Sequence, residues 1–302
     1  MTGPRIYACT WSLFPVMGPV EAARFAARHD FQGLELDCEP LDFWPGLVSE
    51  ATLRELTAIR NGEGIGFTLH EESMVNAATG LPEEASADAE KVRRLVEVAA
   101  RLSSPVLAIH PGVVRELDAL ERHGRPFVTT RYDRDSLARR GWERAVERIA
   151  AWADTAASAG ITLVVENEVH TRHTAAPTAQ ALAAMIDATG RPNVKVNFDT
   201  GHAFIGAGLA AEFSVLERHI AHVHLDDNTS RVSDHLPLGT GRVDFPSIAS
   251  FLATVDAALV IEIYAPDRPE AAMLESRDYL LRVITAASAP SGRPQARRKL
   301  VS

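Results

Sequence analysis

The chain has 302 residues, a formal net charge of −9 at pH 7, 46% hydrophobic residues and 24% charged residues. This composition is typical of a globular protein with a large core, and the acidic balance argues against a dedicated nucleic-acid binder. No run approaches the ~20 apolar residues of a membrane-spanning helix, and the N-terminus lacks a signal-peptide pattern. Cys9 and Cys38 are the only cysteines. We therefore expect a cytoplasmic protein with reduced thiols.

Short apolar runs rich in β-branched residues recur along the whole chain and predict strands. Continuous apolar strands of this kind are typical of a parallel sheet that is covered on both faces. The predicted strands are 5–9, 33–37, 66–70, 105–110, 161–166, 193–199, 219–225 and 258–264.

Helical patterns separate these strands at 19–30, 49–61, 85–104, 135–160 and 177–190. Pro19 near the start of the first helix, and Gly160 and Gly190 at the ends of two others, are typical helix-boundary residues. The repeated β-then-α order without a linker predicts the α/β class and a single (β/α)8 TIM barrel over residues 1–287. The basic segment 288–302 is predicted to be a disordered tail.

Ionisable residues stand at the ends of the predicted strands from the second to the eighth. In barrels of this kind the C-terminal strand ends build the active site. Packing alone does not account for so many carboxylates and imidazoles at one rim, so we predict a metal site there. The residues are Glu35, Asp37, His70, His110, Glu166, Asp199, His224 and Glu262.

Four of these residues, on strands five to eight, are the predicted ligands of one divalent metal ion: Glu166, Asp199, His224 and Glu262. Three carboxylates and one imidazole suit Mn²⁺, Mg²⁺, Co²⁺ or Zn²⁺, and no thiolate is placed to favour a softer metal. His222 shares a strand face with His224. We choose His224 as the ligand because it is nearer the C-terminal end of the strand.

Seven short motifs carry a family resemblance: HEESMVN (70–76), HPG (110–112), EN (166–167), DTGHAF (199–204), HVHLDD (222–227), HLPLGTG (235–241) and EIY (262–264). On these motifs the chain resembles the sugar isomerase/epimerase and endonuclease IV superfamily, the xylose isomerase-like TIM barrels, over about residues 5–285. The resemblance implies that Glu166, Asp199, His224 and Glu262 bind the catalytic metal. It also implies that His202 lies beside the substrate or a further metal.

The first activity that the resemblance implies is a metal-dependent isomerase or epimerase acting on a small keto-sugar or related polyhydroxylated carbonyl compound. The metal would polarise the carbonyl and hydroxyl oxygens of the substrate, and Glu166 and Glu262 would remove and return the proton of the adjacent C–H. Trp11, on the predicted loop after the first strand, either stacks on a sugar ring or caps the core. The expected substrate-binding residues are His70, His110, His202, His235 and Trp11.

A homo-oligomer is a further expectation, and neither nucleic acid nor a membrane is expected as a partner.

Two other activities stay open on the same scaffold. An endonuclease IV-like zinc phosphodiesterase acting on abasic DNA would use the extra histidines for further metals. That pattern has an aspartate where this chain has Ser233, and Asp234 is expected to point to the other face of an extended segment. A metal-dependent dehydratase of the inosose or dehydroshikimate type would use the same proton abstraction to expel a β-hydroxyl group.

The polar segment 113–135 after the fourth strand is the main elaboration of the barrel. Loops at this end of a barrel carry specificity. We therefore expect the segment to form a lid or side wall of the pocket, with Arg131, Tyr132 and Arg134 reaching an anionic or polyhydroxyl substrate.

Overall fold

A computed structural model describes residues 4–14, 16–38, 49–71, 75–117, 133–168, 173–229 and 232–288. Eight parallel strands close into one barrel in chain order, which confirms the predicted α/β class and the single (β/α)8 TIM barrel. The strands are β1 (Arg5–Cys9), β2 (Gly33–Asp37), β3 (Gly66–His70), β4 (Val106–Ile109), β5 (Thr162–Glu166), β6 (Val194–Asp199), β7 (Ile220–Leu225) and β8 (Ala258–Ile261).

Two strands are shorter at their C-terminal ends than the sequence predicted. β4 ends at Ile109 and β8 ends at Ile261, so His110 and Glu262 lie one residue beyond their strands. At His110 the reason is a change of hydrogen-bond partner, because its backbone N–H donates to Glu71 Oε1 at 3.2 Å instead of to a neighbouring strand. Both side chains nevertheless remain at the mouth of the barrel.

Helices cover the outside of the barrel, and all five predicted helices are present with shifted ends. The helices are Thr10–Leu13, Pro19–Arg28, Glu50–Glu63, Pro82–Leu102, Arg134–Ala157, Ala179–Thr189, Thr200–Ile205, Leu209–Leu216, Ala249–Thr254 and Pro269–Ser288, with 3-10 turns at Glu217–His219 and Phe245–Ile248. Gly190 has a φ of 62° directly after its helix, as a C-terminal glycine should. None of the described helices combines the length and apolarity needed to cross a bilayer.

Three expectations about loops meet different outcomes. The prediction that Trp11 lies in a loop is wrong, because the chain turns out of β1 directly into the helix Thr10–Leu13. In the expected side wall, residues 118–132, with Arg131 and Tyr132, lie outside the described residues, and Arg134 begins a helix. Residues 289–302 of the predicted tail also lie outside the described part of the chain.

The inside of the barrel changes from apolar to ionisable towards the C-terminal ends of the strands. Tyr7 and Val260 pack in a small apolar cluster with Cys9 and Ala258, and a Cβ at Gly33 would overlap the Tyr7 ring. Side chains on one face of a strand repeat every second residue. Each of three apolar interior residues is followed two positions later by an ionisable residue. The pairs are Val260 and Glu262, Val164 and Glu166, and Ala108 and His110. The site therefore lies on top of a filled apolar interior.

Gly112 joins the loops that follow β3 and β4, and we expect its replacement to destabilise the fold. Its φ is +87°, and an added Cβ would lie 2.6 Å from Asn76 Oδ1 and 2.7 Å from the Ala78 backbone N. We expect Gly112→Ala to lower the free energy of unfolding by about 2–4 kcal/mol, since backbone strain and overpacking add.

The matched control is Gly64→Ala. Gly64 has a similar φ of +75° and nothing within 4 Å of an added Cβ, so it should lose only about 1 kcal/mol from strain. Urea denaturation of both variants measures the difference. Equal losses would mean that crowding at Gly112 contributes nothing.

Candidate metal centre

The ends of β5, β6 and β7 bring three of the predicted ligands together. Ligand atoms of Glu166, Asp199 and His224 all lie within 4.8 Å of one another, and the three residues are buried. Glu262 joins through His224, whose Nδ1 lies 3.4 Å from Glu166 Oε2 and 3.1 Å from Glu262 Oε2. A second group with ligand atoms at this spacing consists of Glu35, His70, His224 and Glu262. The imidazole of His224 is therefore common to both groups.

Asp199 carries an oxygen that suits a bound cation. Its Oδ1 accepts the backbone N–H of His202 at 2.6 Å and so caps the helix Thr200–Ile205. Its Oδ2 is buried and makes no hydrogen bond within the described part of the chain. Asn167 fixes the backbone on either side, since its Oδ1 accepts from Asp199 N at 2.7 Å and its Nδ2 donates to Asp199 O at 3.0 Å. A buried carboxylate oxygen without a donor is costly, and a divalent cation would satisfy it.

Three further histidines surround Glu166, and all of them were predicted site residues. His202 Nδ1 lies 3.0 Å from Glu166 Oε1, and His110 Nε2 lies 4.0 Å from the same oxygen. His70 spans the two glutamates, with Nε2 3.6 Å from Glu166 Oε2 and Nδ1 3.5 Å from Glu262 Oε1. The ligand atoms of His70, His110 and Glu166 form a third group within 4.8 Å. The donor set therefore has room for more than one arrangement of cations.

His235 lies at the edge of this cluster. Its Nδ1 is 3.5 Å from Asp226 Oδ2 and 3.9 Å from Glu262 Oε2. The neighbouring Asp234 is turned towards Thr229, which donates to Asp234 Oδ2 from Oγ1 at 2.9 Å. Asp226, which the sequence analysis did not select, therefore lies closer to His235 than Glu262 does.

Trp11 forms an aromatic side of the mouth. Its ring centroid lies 5.1 Å from that of His235 and 5.7 Å from that of Tyr264. Trp11 also packs against the apolar cluster inside the barrel, and the Tyr264 side chain is exposed. Trp11, His235 and Tyr264 therefore form an aromatic group beside the carboxylates and imidazoles.

Burial and mutual charge set the protonation of this cluster. Burial acts to raise the pKa of Glu166, but the charges of His224 and of the surrounding imidazoles hold it well below its usual range. His224 and His70 have the same effect on Glu262. Burial acts to lower the pKa of His70, but Glu262 and Glu166 raise it to about 10. The pKa values of His202 and His224 are also raised by neighbouring carboxylates, so His70, His202 and His224 hold protons without a cation and must release a proton to become ligands.

Glu35 and Asn197 contact the site. The sequence analysis placed Glu35 at the ionisable rim without a ligand or substrate role, and it did not select Asn197. Glu35 is fully buried, with Oε1 2.7 Å from His224 Nε2 and Oε2 3.1 Å from His222 Nε2. Asn197 donates from Nδ2 to Glu166 Oε2 at 2.8 Å. The available signal for Glu35 is its place in the run GLELD, where it is the carboxylate in the middle of a buried strand.

Comparison with known proteins agrees with this architecture. A family model described as a xylose isomerase-like TIM barrel matches residues 23–283. An uncharacterized protein of Methanocaldococcus jannaschii is 25% identical over 242 residues, which cover 78% of this chain and 75% of the relative.

Two solved structures are similar in fold. A D-tagatose 3-epimerase-like protein has a TM-score of 0.76 at 20% identity, covering 94% of this chain and all of the other. The IOLI protein, solved with a zinc atom, has a TM-score of 0.74 at 14% identity, covering 93% of this chain and 98% of the other. At these identities the two structures share the fold, while the family match spans most of the chain. The chain belongs to the xylose isomerase-like TIM barrel family.

Proposed function

We propose that the protein is a divalent-metal-dependent isomerase or epimerase of a small keto-sugar or related polyhydroxylated carbonyl compound. The observation that carries this proposal is the pair of buried carboxylates, Glu166 and Glu262, which approach one imidazole, His224, from separate strands. The similarity in fold to a D-tagatose 3-epimerase-like protein and to a zinc-containing protein supports it.

The residues proposed to hold the ion, which is Mn²⁺, Zn²⁺, Mg²⁺ or Co²⁺, are Glu166, Asp199, His224 and Glu262. The buried Oδ2 of Asp199 and the shared position of His224 fit this role. When bound, a divalent cation supplies a Lewis acid that polarises carbonyl and hydroxyl oxygens and so acidifies the adjacent C–H.

The chain itself would move the proton and hold the substrate. Glu166 and Glu262 are the proposed bases, because both are held ionised and both approach Nδ1 of His224, at 3.4 Å and 3.1 Å. Asn197 orients Glu166 by donating to its Oε2. The residues proposed to contact the hydroxyl groups and carbon skeleton of the substrate are His70, His110, His202, His235 and Trp11.

The two carboxylate oxygens of Asp199 have different proposed roles: Oδ1 caps a helix, and Oδ2 is the proposed metal ligand. A substitution can test the two roles separately. In Asp199→Asn the remaining oxygen can still cap the helix Thr200–Ile205, while an amide replaces the proposed ligand oxygen. We expect the melting temperature of the metal-free protein to change little and the affinity for Zn²⁺ to fall at least tenfold, measured by competition with a chelator.

Asp88→Asn is the matched control, since Asp88 is also buried and accepts a backbone N–H, from Asn76 at 2.9 Å, outside the cluster. Its Zn²⁺ affinity should equal that of the unmodified protein. An Asp199→Asn variant that binds Zn²⁺ with full affinity would remove Asp199 from the ligand set.

Hydrogen exchange tests the proton transfer directly. The metal-loaded protein should incorporate deuterium from D2O next to the carbonyl of its keto-sugar substrate, observed by NMR over a panel of keto-sugars. Glu166→Gln and Glu262→Gln should each slow the complete epimerisation by about 10²–10⁴-fold at saturating metal, because each removes a general base or acid.

In an epimerase with two bases, each variant should still exchange the proton of one epimer and not that of the other. Glu212→Gln is the control, because Glu212 is buried on the helix Leu209–Leu216 and accepts from the Ala207 backbone N. Full epimerisation rates in both site variants would contradict the assignment of the bases.

One observation favours a second candidate, a zinc phosphodiesterase. The third ligand group, His70, His110 and Glu166, offers a further cation site beside the first. A dehydratase would share the proton abstraction of the first candidate and would differ in releasing a β-hydroxyl group. The number of bound metals separates the phosphodiesterase from the other two.

We expect one metal ion per chain in protein purified without chelator, and the same content in His235→Ala. The reason is that His235 lies 3.5 Å or more from its nearest carboxylates and belongs to none of the ligand groups in the described chain. Elemental analysis measures the content. Two or three zinc ions, with one lost in the variant, would contradict the isomerase proposal and make abasic DNA the first substrate to test.

A further inference from the structure

We infer that Glu35 is a positioning residue of the metal centre, which holds the imidazole of His224 so that Nδ1 faces the other ligands. The inference rests on the proposed function, because it presupposes that His224 binds a metal. Glu35 contacts the proposed metal ligand His224. Its proposed role is to act on the metal through that imidazole.

The two nitrogens of His224 face different partners. Nε2 lies 2.7 Å from Glu35 Oε1, while Nδ1 lies 3.1 Å from Glu262 Oε2 and 3.4 Å from Glu166 Oε2. An ionised carboxylate only accepts hydrogen bonds, so it favours a proton on the nitrogen that it faces. The proton then stays on Nε2, and Nδ1 is the nitrogen left to ligate.

Glu35 reaches His224 across the interior of the barrel. β2 and β7 are not neighbours in the strand order, yet both side chains are fully buried and in contact. Thr68, on β3, donates from Oγ1 to Glu35 Oε2 at 2.9 Å and so limits rotation of the carboxylate. Thr68, on a third strand, therefore holds the Glu35 carboxylate in the orientation in which it contacts the imidazole.

The same carboxylate is linked to a second proposed ligand. Glu35 Oε2 lies 3.1 Å from His222 Nε2, and His222 Nδ1 lies 3.0 Å from Asn197 Oδ1. Asn197 then donates from Nδ2 to Glu166 Oε2 at 2.8 Å. The five side chains form a closed ring of contacts that includes both His224 and Glu166, and the hydrogen bonds of Asn197 connect His222 to Glu166 within it.

A purely structural role for Glu35 would be a buried ion pair, and such pairs contribute little net stability when compared with an apolar replacement. A carboxylate behind a metal-binding imidazole has a different effect, since it fixes the tautomer and raises the basicity of the ligand. The two roles differ in what a neutral, isosteric replacement of Glu35 should change.

We expect Glu35→Gln to weaken Co²⁺ binding by about 10–100-fold, as is typical of such outer partners of metal ligands. The d–d absorption band of bound Co²⁺ should also shift, because the imidazole becomes a weaker donor. Glu212→Gln, the buried carboxylate on the helix Leu209–Leu216, should leave both quantities unchanged. A Glu35→Gln variant with unchanged affinity and spectrum would overturn the inference.

If the Glu35→Gln variant does not fold, a measurement on the unmodified protein tests the inference. In zinc-loaded protein labelled with ¹⁵N at histidine, long-range ¹H–¹⁵N correlation should find the His224 proton on Nε2 and the zinc on Nδ1. The opposite tautomer would overturn the inference even if His224 is a ligand. If the unmodified protein binds neither Co²⁺ nor Zn²⁺, the metal centre of the proposed function is wrong, and the role of Glu35 falls with it.

Discussion

Buried carboxylates and imidazoles at the mouth of the barrel must neutralise one another, and the site depends on this constraint. A charge removed from water is tolerated only when a partner and hydrogen bonds compensate it. Glu166, Glu262 and Glu35 each contact imidazoles at 2.7–4.0 Å, and burial of every member strengthens these contacts. A cation that replaces the imidazole protons keeps the balance of charge, so the cluster is compatible with both forms.

The same constraint explains why residues around the proposed ligands are polar as well. Asn167, directly after β5, places its amide group against the Asp199 backbone, and Asn197, on β6, places its amide group against the Glu166 carboxylate. An amide supplies a donor and an acceptor without adding charge, so it orients a carboxylate without changing the charge balance. Asn167 and Asn197 in this way hold two of the proposed ligands without adding charge, whereas Glu35 contacts His224 as a carboxylate.

Strand positions were predictable from the sequence because a buried parallel strand is a continuous apolar run, and each of the eight runs appears as a strand. The contacts at the site were less predictable. His224 and Glu35 lie on strands far apart in the chain, and their contact depends on closure of the barrel. The short helix that contains Trp11 has a single turn, too little for a helical period to be visible. The domain limit at residue 287 and the disorder of the tail stay predictions.

The apolar packing beneath the site has a consequence for how small molecules reach and leave it. Tyr7 covers Gly33 and Gly66, and Val164, Ala108 and Val260 fill the adjoining interior, so the barrel is a packed core and not a pore. This packing closes the site from below, and the site faces outward at the C-terminal ends of the strands. In the proposed reaction, substrate and product would therefore share the mouth of the barrel, and a proton held on Glu166 or Glu262 would exchange with bulk water through the same mouth.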